Sequence, residues 1–272
     1  MRAGIVYICA SLVILVLIMF KGLSDQNHAV ERYTQAAGGW TVVSLDALNL
    51  KRPSMDWNVN AIPHVIHQFA PGNRDAWHAS WGPCHDSWKH HFDSFEHHLW
   101  TDEAIDDFVH RRFGADFYDV FNSFAHPIQR LHVARYLVMY EYGGIYADMD
   151  VECMDDFYDH LHAGKANLIH GRDDTFHNAL MASPAHHPFW HYVLSEALGW
   201  CMSEDADGST GTKMLGRVAR LVPPQMLHAL SSSMFIMYGG GRRDSDRDGE
   251  FAPSQPHPNV FAIHHESGTW RR

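Results

Sequence analysis

An α/β fold with a largely parallel central sheet is predicted by three observations. Short apolar runs of strand length recur along the chain. Runs with helical spacing and helix-end residues alternate with them. The 272 residues, 46% of them hydrophobic and 12% aromatic, suffice for one domain with a substantial core.

One segment stands before that domain. Residues 3–20, AGIVYICASLVILVLIMF, carry no charge. As a helix at about 1.5 Å per residue they reach about 27 Å, enough for a thin bilayer. KGLSDQ follows directly, where a cleaved signal peptide would show a small-x-small site. The stretch 1–20 is therefore expected to be an uncleaved N-terminal anchor, a transmembrane helix. Arg2 and Lys21 flank it and give only a weak charge bias for orientation. Residues 21–58 are polar and low in pattern, a stem, and the folded domain is expected over 59–272.

Within that domain IPHVIHQFAP (62–71) is a first buried strand, ended by Pro-Gly, and EHHLW (96–100) a second. Thr101 can cap a helix through DEAIDDFVHRRF, where Ile105, Phe108, Val109 and Phe113 keep helical spacing and Gly114 is the stop. Pro127 opens a stronger helix, PIQRLHVARYLVMYEY, closed at Gly143-Gly144. IYADMDV follows as a strand, and NLIHG (167–171) and VFAIH (260–264) are further strands. PFWHYVLSEAL and TKMLGRVARLV are helices. Tyr136 and Tyr142 fall to the core.

The formal charge of −11 argues against a nucleic-acid binder. The four cysteines show no C-x-x-C spacing, which argues against a zinc site, and Cys84, Cys153 and Cys201 allow at most one disulfide. The 23 histidines include four adjacent pairs, so mild acid shifts the net charge far.

Four Asp-x-Asp triplets occur, at 148/150, 205/207, 244/246 and 246/248. The last three lie in polar loop-like stretches. Only Asp148 and Asp150 end an apolar run, in GGIYADMDVEC. On a strand they would share one face at its carboxyl end, where open α/β sheets bind ligands. Two crowded carboxylates need a cation or protons, and Mg²⁺ and Mn²⁺ favour such oxygen donors. A strand end that simply meets water is the other reading of the same pair.

IPHVIHQF, LWTDE and PIQRLHVARYLVMYEYGGIYADMDVEC, in that order, resemble the DxD-containing glycosyltransferase family 32. That family includes initiating α-1,6-mannosyltransferases, inositol phosphorylceramide mannosyltransferases and bacterial capsule enzymes. HNALMASPAHHPFW, STGTKML and AIHHESGTW resemble its downstream segments, and the resemblance covers residues 62–270. It implies a GT-A fold with 59–272 as catalytic domain, and a retaining transfer from a nucleotide-sugar, with GDP-mannose the first donor to try and a UDP-sugar the second. The acceptor would be a glycan or glycolipid, and Mn²⁺ or Mg²⁺ the cofactor. Carried over residue by residue, Asp148 and Asp150 are the DxD, and His264 is an added metal ligand. Arg135 faces the donor, with His132, Asn178 and Trp270 beside it. With the anchor, the resemblance implies a type II single-pass protein with a lumenal catalytic domain, in Golgi or ER if the cell is eukaryotic.

The chain departs from the family at His132, where Asp is usual. A neutral imidazole accepts one hydrogen bond and donates one, so altered sugar selectivity and a His titration between about pH 5.5 and 7.5 are expected. Phe69 stands for a usual Trp, Gly211-Thr212, followed by Lys213, for the Gly-Pro of a Thr-Gly-Pro turn, and Thr269 for the Ser before Trp270. Two other classes stay open: a sugar-binding relative that lost the chemistry, and a DxD phosphohydrolase. Glu152 stands where that phosphohydrolase loop needs Thr or Val.

Overall fold

The computed structural model describes residues 31–36, 39–44, 61–236, 254 and 259–267. The chain divides into two units, Met1–Leu50 and Lys51–Arg272. In the first, β1 (Glu31–Ala36) and β2 (Gly39–Ser44) form an antiparallel hairpin. It falls in the stretch expected to be a patternless stem. The anchor at 3–20, and Trp270, lie outside the described residues. No helix of the described residues is long and apolar enough to cross a membrane.

The second unit is a mixed α/β fold around a six-stranded sheet. Its strands are β3 (Val65–Phe69), β4 (Glu96–Trp100), β5 (Gly144–Ala147), β7 (Ala166–His170), β8 (Phe176–Ser183) and β9 (Leu227–Leu230). Across the sheet the order is β4-β3-β5-β8-β7-β9. β8 runs antiparallel to both its neighbours, while the other pairings are parallel, so five strands point one way. A smaller sheet joins β6 (Val151–Cys153), β11 (Ala262–His264) and β10 (Phe235–Ile236), in the order β10-β11-β6.

Seven helices are described: α1 (Trp81–His91), α2 (Asp102–Phe113), α3 (Ala115–Asn122), α4 (Pro127–Tyr142), α5 (Phe189–Leu198), α6 (Ala206–Thr210) and α7 (Thr212–Leu221). The expected ends of α2 and α4 hold for the expected reasons. Thr101 Oγ1 accepts from Ala104 N–H at 3.2 Å, and Gly114 leaves α2 at φ 85°. Pro127 stands in the first turn of α4, where its missing N–H costs nothing, and the Gln129 side chain accepts from His126 N–H at 2.7 Å. α4 then runs buried from Val133 to Tyr140 between the sheet and α5.

Gly143 and Gly144 turn the chain from α4 into β5 at φ 64° and 84°. A Cβ at either would meet backbone, at Pro184-Ala185 for Gly143 and at Val65 for Gly144. Glycine is thus required twice, for its φ and for its missing side chain. The core beneath joins both sheets: Ile66, Trp88, Ile145, Val151, Phe157 and Phe235 pack together. Trp88 also donates its indole N–H to the Val151 carbonyl at 2.7 Å, which locks α1 onto β6.

Three expectations are corrected. IYADMDV is not one strand. β5 stops at Ala147, residues 148–150 turn, and β6 belongs to the other sheet. EHHLW is a strand, but at the sheet edge, with Glu96 and Leu99 exposed. Tyr136 is core, whereas Tyr142 is 43% exposed at the end of α4. The central strand β8 carries no alternation in FHNALMAS because both its faces are buried, so a period-two search passes over it.

Histidine burial has a consequence for stability. Burial pulls His67 down to about 3, and His85, His177 and His187 down to about 4. The unfolded chain takes up these protons near pH 6.5 and the folded chain does not, so stability is present above 6.5 and lost as pH falls toward 4. Each such group removes up to about 1.4 kcal/mol per pH unit. Four remove about 5 kcal/mol per unit, on the scale of a whole domain's stability. The melting temperature should therefore fall steeply between pH 6.5 and 5 in circular dichroism, and a flat profile over that range would refute the neutral burial.

Candidate active site

The turn at Asp148-Met149-Asp150 is where the two sheets meet. Asp148 N–H donates to Ala179 O at 2.8 Å, which carries the pairing with β8 one residue past β5. The Asp150 carbonyl accepts from His265 N–H at 2.8 Å, just beyond β11. Val151 N–H closes the turn on Asp148 O at 3.0 Å. The backbone of each aspartate is thus held by a different sheet.

The side chains have separate clamps. Asp148 Oδ1 accepts from the Tyr146 hydroxyl at 2.6 Å and from Arg135 Nη2 at 3.0 Å. Arg135 comes from the middle of α4, lies over the Tyr146 ring and donates from Nη1 to the Asn178 carbonyl at 3.4 Å. Asp150 Oδ2 accepts both the backbone N–H of Ser267, at 2.8 Å, and its hydroxyl, at 2.7 Å. Asp150 Oδ1 faces His264 Nε2 at 3.2 Å.

Ligand atoms of Asp148, Asp150 and His264 lie within 4.8 Å of one another. Two carboxylates and an imidazole form a donor set for a divalent cation such as Mn²⁺ or Mg²⁺. Two buried polar atoms at the site, His264 Nδ1 and Arg135 Nε, have no partner among the described residues. A site with unmet polar groups of this kind fits a bound, charged guest.

The charges are uneven. Burial pushes the Asp148 carboxyl up, and Asp150 adds to this while Arg135 opposes it. Burial would raise Asp150 too, but its hydrogen bonds from His264 and Ser267 hold it well below the usual carboxylate range. Burial lowers His264, and the Asp150 hydrogen bond and charge more than reverse this, so it titrates above its ordinary value.

The structure brings Asp148, Asp150, Arg135 and His264 together as expected. Asn178 sits on β8 beside them, but its side-chain amide is directed at Tyr136 Oη, at 3.2 Å. Tyr136 in turn donates to the Thr210 carbonyl at 2.6 Å. His132 lies one turn before Arg135 and bonds Thr210 Oγ1 through Nδ1 at 3.0 Å. Thr210 spends its own hydroxyl proton on Ala206 O at 3.0 Å, so His132 Nδ1 carries the hydrogen and Nε2 is left as an acceptor. Burial, with Arg135 adding to it, keeps His132 neutral well below its ordinary range. The expected His132 titration between pH 5.5 and 7.5 is therefore corrected.

Ser267 and Tyr146 were missed by sequence reasoning. Ser267 had a signal, a hydroxyl three residues past His264 in AIHHESGTW. Tyr146 had one too, because it stands two residues before Asp148 and shares its face along the strand.

Residues 79–168 match the family described as "Glycosyltransferase sugar-binding region containing DXD motif". The match covers about a third of the chain, and it is to this DXD-containing glycosyltransferase family that the chain is similar. The matched region holds Arg135, Asp148 and Asp150; Asn178, His264 and Ser267 lie beyond it. Inositol phosphoceramide mannosyltransferase 1 of Schizosaccharomyces pombe is 30% identical over 135 residues, 49% of this chain and 42% of that protein. A mannosyl phosphorylinositol ceramide synthase of Saccharomyces cerevisiae is 34% identical over 135 residues, 49% of this chain and 34% of that protein. The matched part of the chain thus spans less than half the length of either relative. Among solved structures, a PaToxG glycosyltransferase aligns over 61% of this chain and 71% of its own, at 15% identity and a TM-score of 0.46.

A ligand at this site competes with the proton on His264, because a metal takes the neutral imidazole. Mn²⁺ affinity measured by titration calorimetry should rise with pH from 6 until His264 has lost its proton, above 6.5. The His264–Asp150 pair itself contributes stability that is complete below 6.5 and is lost as pH rises through the raised value. Ser267→Ala should weaken Mn²⁺ about tenfold by loosening Asp150, the usual scale for a group that orients a ligand. A pH slope that survives unchanged in His264→Ala would exclude His264 as a ligand.

Proposed function

We propose that this protein is a divalent-metal-dependent, retaining glycosyltransferase that moves a hexosyl unit, mannose first among candidates, from a nucleotide-sugar to a glycan or glycolipid. The observation that carries the reading is the convergence of Asp148, Asp150 and His264 beside Arg135. Relatives named for mannosyl transfer to inositol phosphoceramide support mannose and a glycolipid acceptor. GDP-mannose is the first donor to try, and a UDP-sugar the second.

In this reading Asp148, Asp150 and His264 hold Mn²⁺ or Mg²⁺, which when bound offsets the negative charge gathering on a leaving diphosphate. Ser267 keeps Asp150 ionised and aimed, since both of its donors fall on one carboxylate oxygen. Tyr146 and Arg135 hold Asp148 in one orientation. Arg135 keeps an unmet Nε–H for a donor oxygen. His132, fixed by Thr210, offers Nε2 as an uncharged acceptor for one sugar hydroxyl where a carboxylate would serve two. Asn178 supports that wall through Tyr136, and the family resemblance assigns Trp270, outside the described residues, to the nucleotide.

The full chain, purified in detergent with Mn²⁺, should release nucleoside diphosphate from GDP-mannose or a UDP-sugar and form a glycosylated product. EDTA should abolish this. Asp148→Asn and Asp150→Asn should each lose about 10²–10³-fold in turnover, the scale of removing one charge-stabilising group, with melting temperature nearly kept. His132→Asp should change donor preference while leaving the pH profile in place. Full turnover in EDTA, or in both asparagine variants, defeats the metal-dependent reading, whereas no turnover with either donor favours the sugar-binding alternative.

We further propose that residues 3–20 anchor the chain as a type II protein with the catalytic unit lumenal, in Golgi or ER. The uncharged run of 18 residues supports it. The full chain should stay with membranes in alkaline carbonate and resist added protease in sealed vesicles; release by carbonate opposes it.

A further inference from the structure

A second cavity stands along the edge strand β4 of the main sheet. A cavity of about 350 Å³ opens among the residues that lead into β3 and β4, the rings on their shared face, and Tyr142 at the end of α4. Pairing of Val65 with Glu96, His67 with His98 and Phe69 with Trp100 puts these side chains on one face. β3 and β4 run parallel to β5, so Val65 and Glu96 lie level with the amino end of β5, four residues or about 13 Å of strand from Asp148, while Trp100, paired with Phe69, reaches the level of its carboxyl end two strands away.

The cavity is walled by a run of touching, mutually tilted rings. Trp100 and Tyr142 centroids are 5.6 Å apart, His67 and Tyr142 5.9 Å, His67 and His98 5.7 Å. Phe108 backs both Trp100 and Tyr142. His67 is spent internally: Nδ1 accepts from Trp100 Nε1–H at 3.1 Å, and Nε2–H donates to Gly143 O at 3.1 Å. It therefore presents a neutral ring with no unmet polar atom. The polar groups stand at the rim, where Glu96 and His98 meet at 2.7 Å, both well exposed.

This chemistry selects among ligands. No lysine or arginine lines the cavity and one carboxylate does, which excludes phosphates and nucleotides. The volume lies at the small end of ligand cavities, about 300–1,000 Å³, and suits one ring-sized unit. Neighbouring rings touch at tilts of 41–44°, so they form a faceted wall with no gap between them, and a quaternary ammonium is not enclosed. An apolar wall with hydrogen-bonding groups at its edge suits the C–H face of a sugar whose hydroxyls reach sideways. We propose that this cavity is a separate subsite for one neutral pyranose unit, resting on Trp100 and Tyr142 and hydrogen-bonded by Glu96 and His98. The choice of a sugar rests on the glycosyltransferase reading; the binding does not require transfer.

The test uses the full chain in EDTA without donor, with methyl α-mannoside as probe, by saturation-transfer NMR and calorimetry. Binding with a dissociation constant of about 1–10 mM is expected for so small a ligand. Tyr142→Ala, at an exposed position, should weaken it at least about fivefold, the scale of one lost ring contact. Glu96→Gln should also weaken it, while Asp148→Asn should leave it unchanged. The subsite is overturned by absence of saturable binding up to about 50 mM. It is equally overturned if binding is lost in Asp148→Asn but kept in Tyr142→Ala, or if tetramethylammonium binds and the glycoside does not. Failure of transfer with glycoside binding intact defeats the enzyme reading alone.

Discussion

Two carboxylates one residue apart cannot both stay charged in a buried corner unless each has its own compensation. Bringing like charges together out of water costs more than any packing there returns. The structure meets this constraint twice over. Asp148 is held by a guanidinium and a phenol, Asp150 by an imidazole and both donors of one serine. The compensation is unequal: Asp150 is driven toward the charged form, and Asp148 keeps an upward pressure. A divalent cation would relieve that remaining pressure, so the arrangement favours its capture.

Much of the fold serves to deliver those partners. α4 must end in a tight reversal for Arg135 to stand over the strand that follows, and the double glycine makes that reversal. Substitution there would force side chains into backbone and into a φ costing about 1–3 kcal/mol per residue. The antiparallel β8 lies between β5 and β7 and holds Asp148 through Ala179, while Asn178 on the same strand receives Arg135. The small sheet supplies the other half. β11 carries His264, and the segment after it wraps Ser267 onto Asp150. Behind it, His265 and Glu152 meet at 2.8 Å, a buried pair that fixes the same segment from the far side.

Histidine serves three different purposes in this chain. His264 is pulled upward by a carboxylate, His132 is kept neutral by burial with an arginine beside it, and His67 is a satisfied, uncharged part of a ring cluster. The residue type alone therefore says little. What decides is whether a carboxylate or only apolar burial surrounds the ring.

The sequence by itself determined the ends of α2 and α4, the strands at 65–69, 96–100 and 166–170, and the choice of Asp148 and Asp150 among four similar triplets. Each of these rests on contacts within a few residues: a cap, a proline in a first turn, a glycine stop, an apolar run. Arg135 and His264 were legible only through resemblance to a family. The tertiary structure alone decided that the aspartates sit on a turn between two sheets, that β8 is a central antiparallel strand, and that His132 stays neutral. It also decided that Ser267 closes on Asp150 across 117 residues of chain. The physical reason is that such pairings depend on which surfaces the whole core brings together, and no local spacing records them.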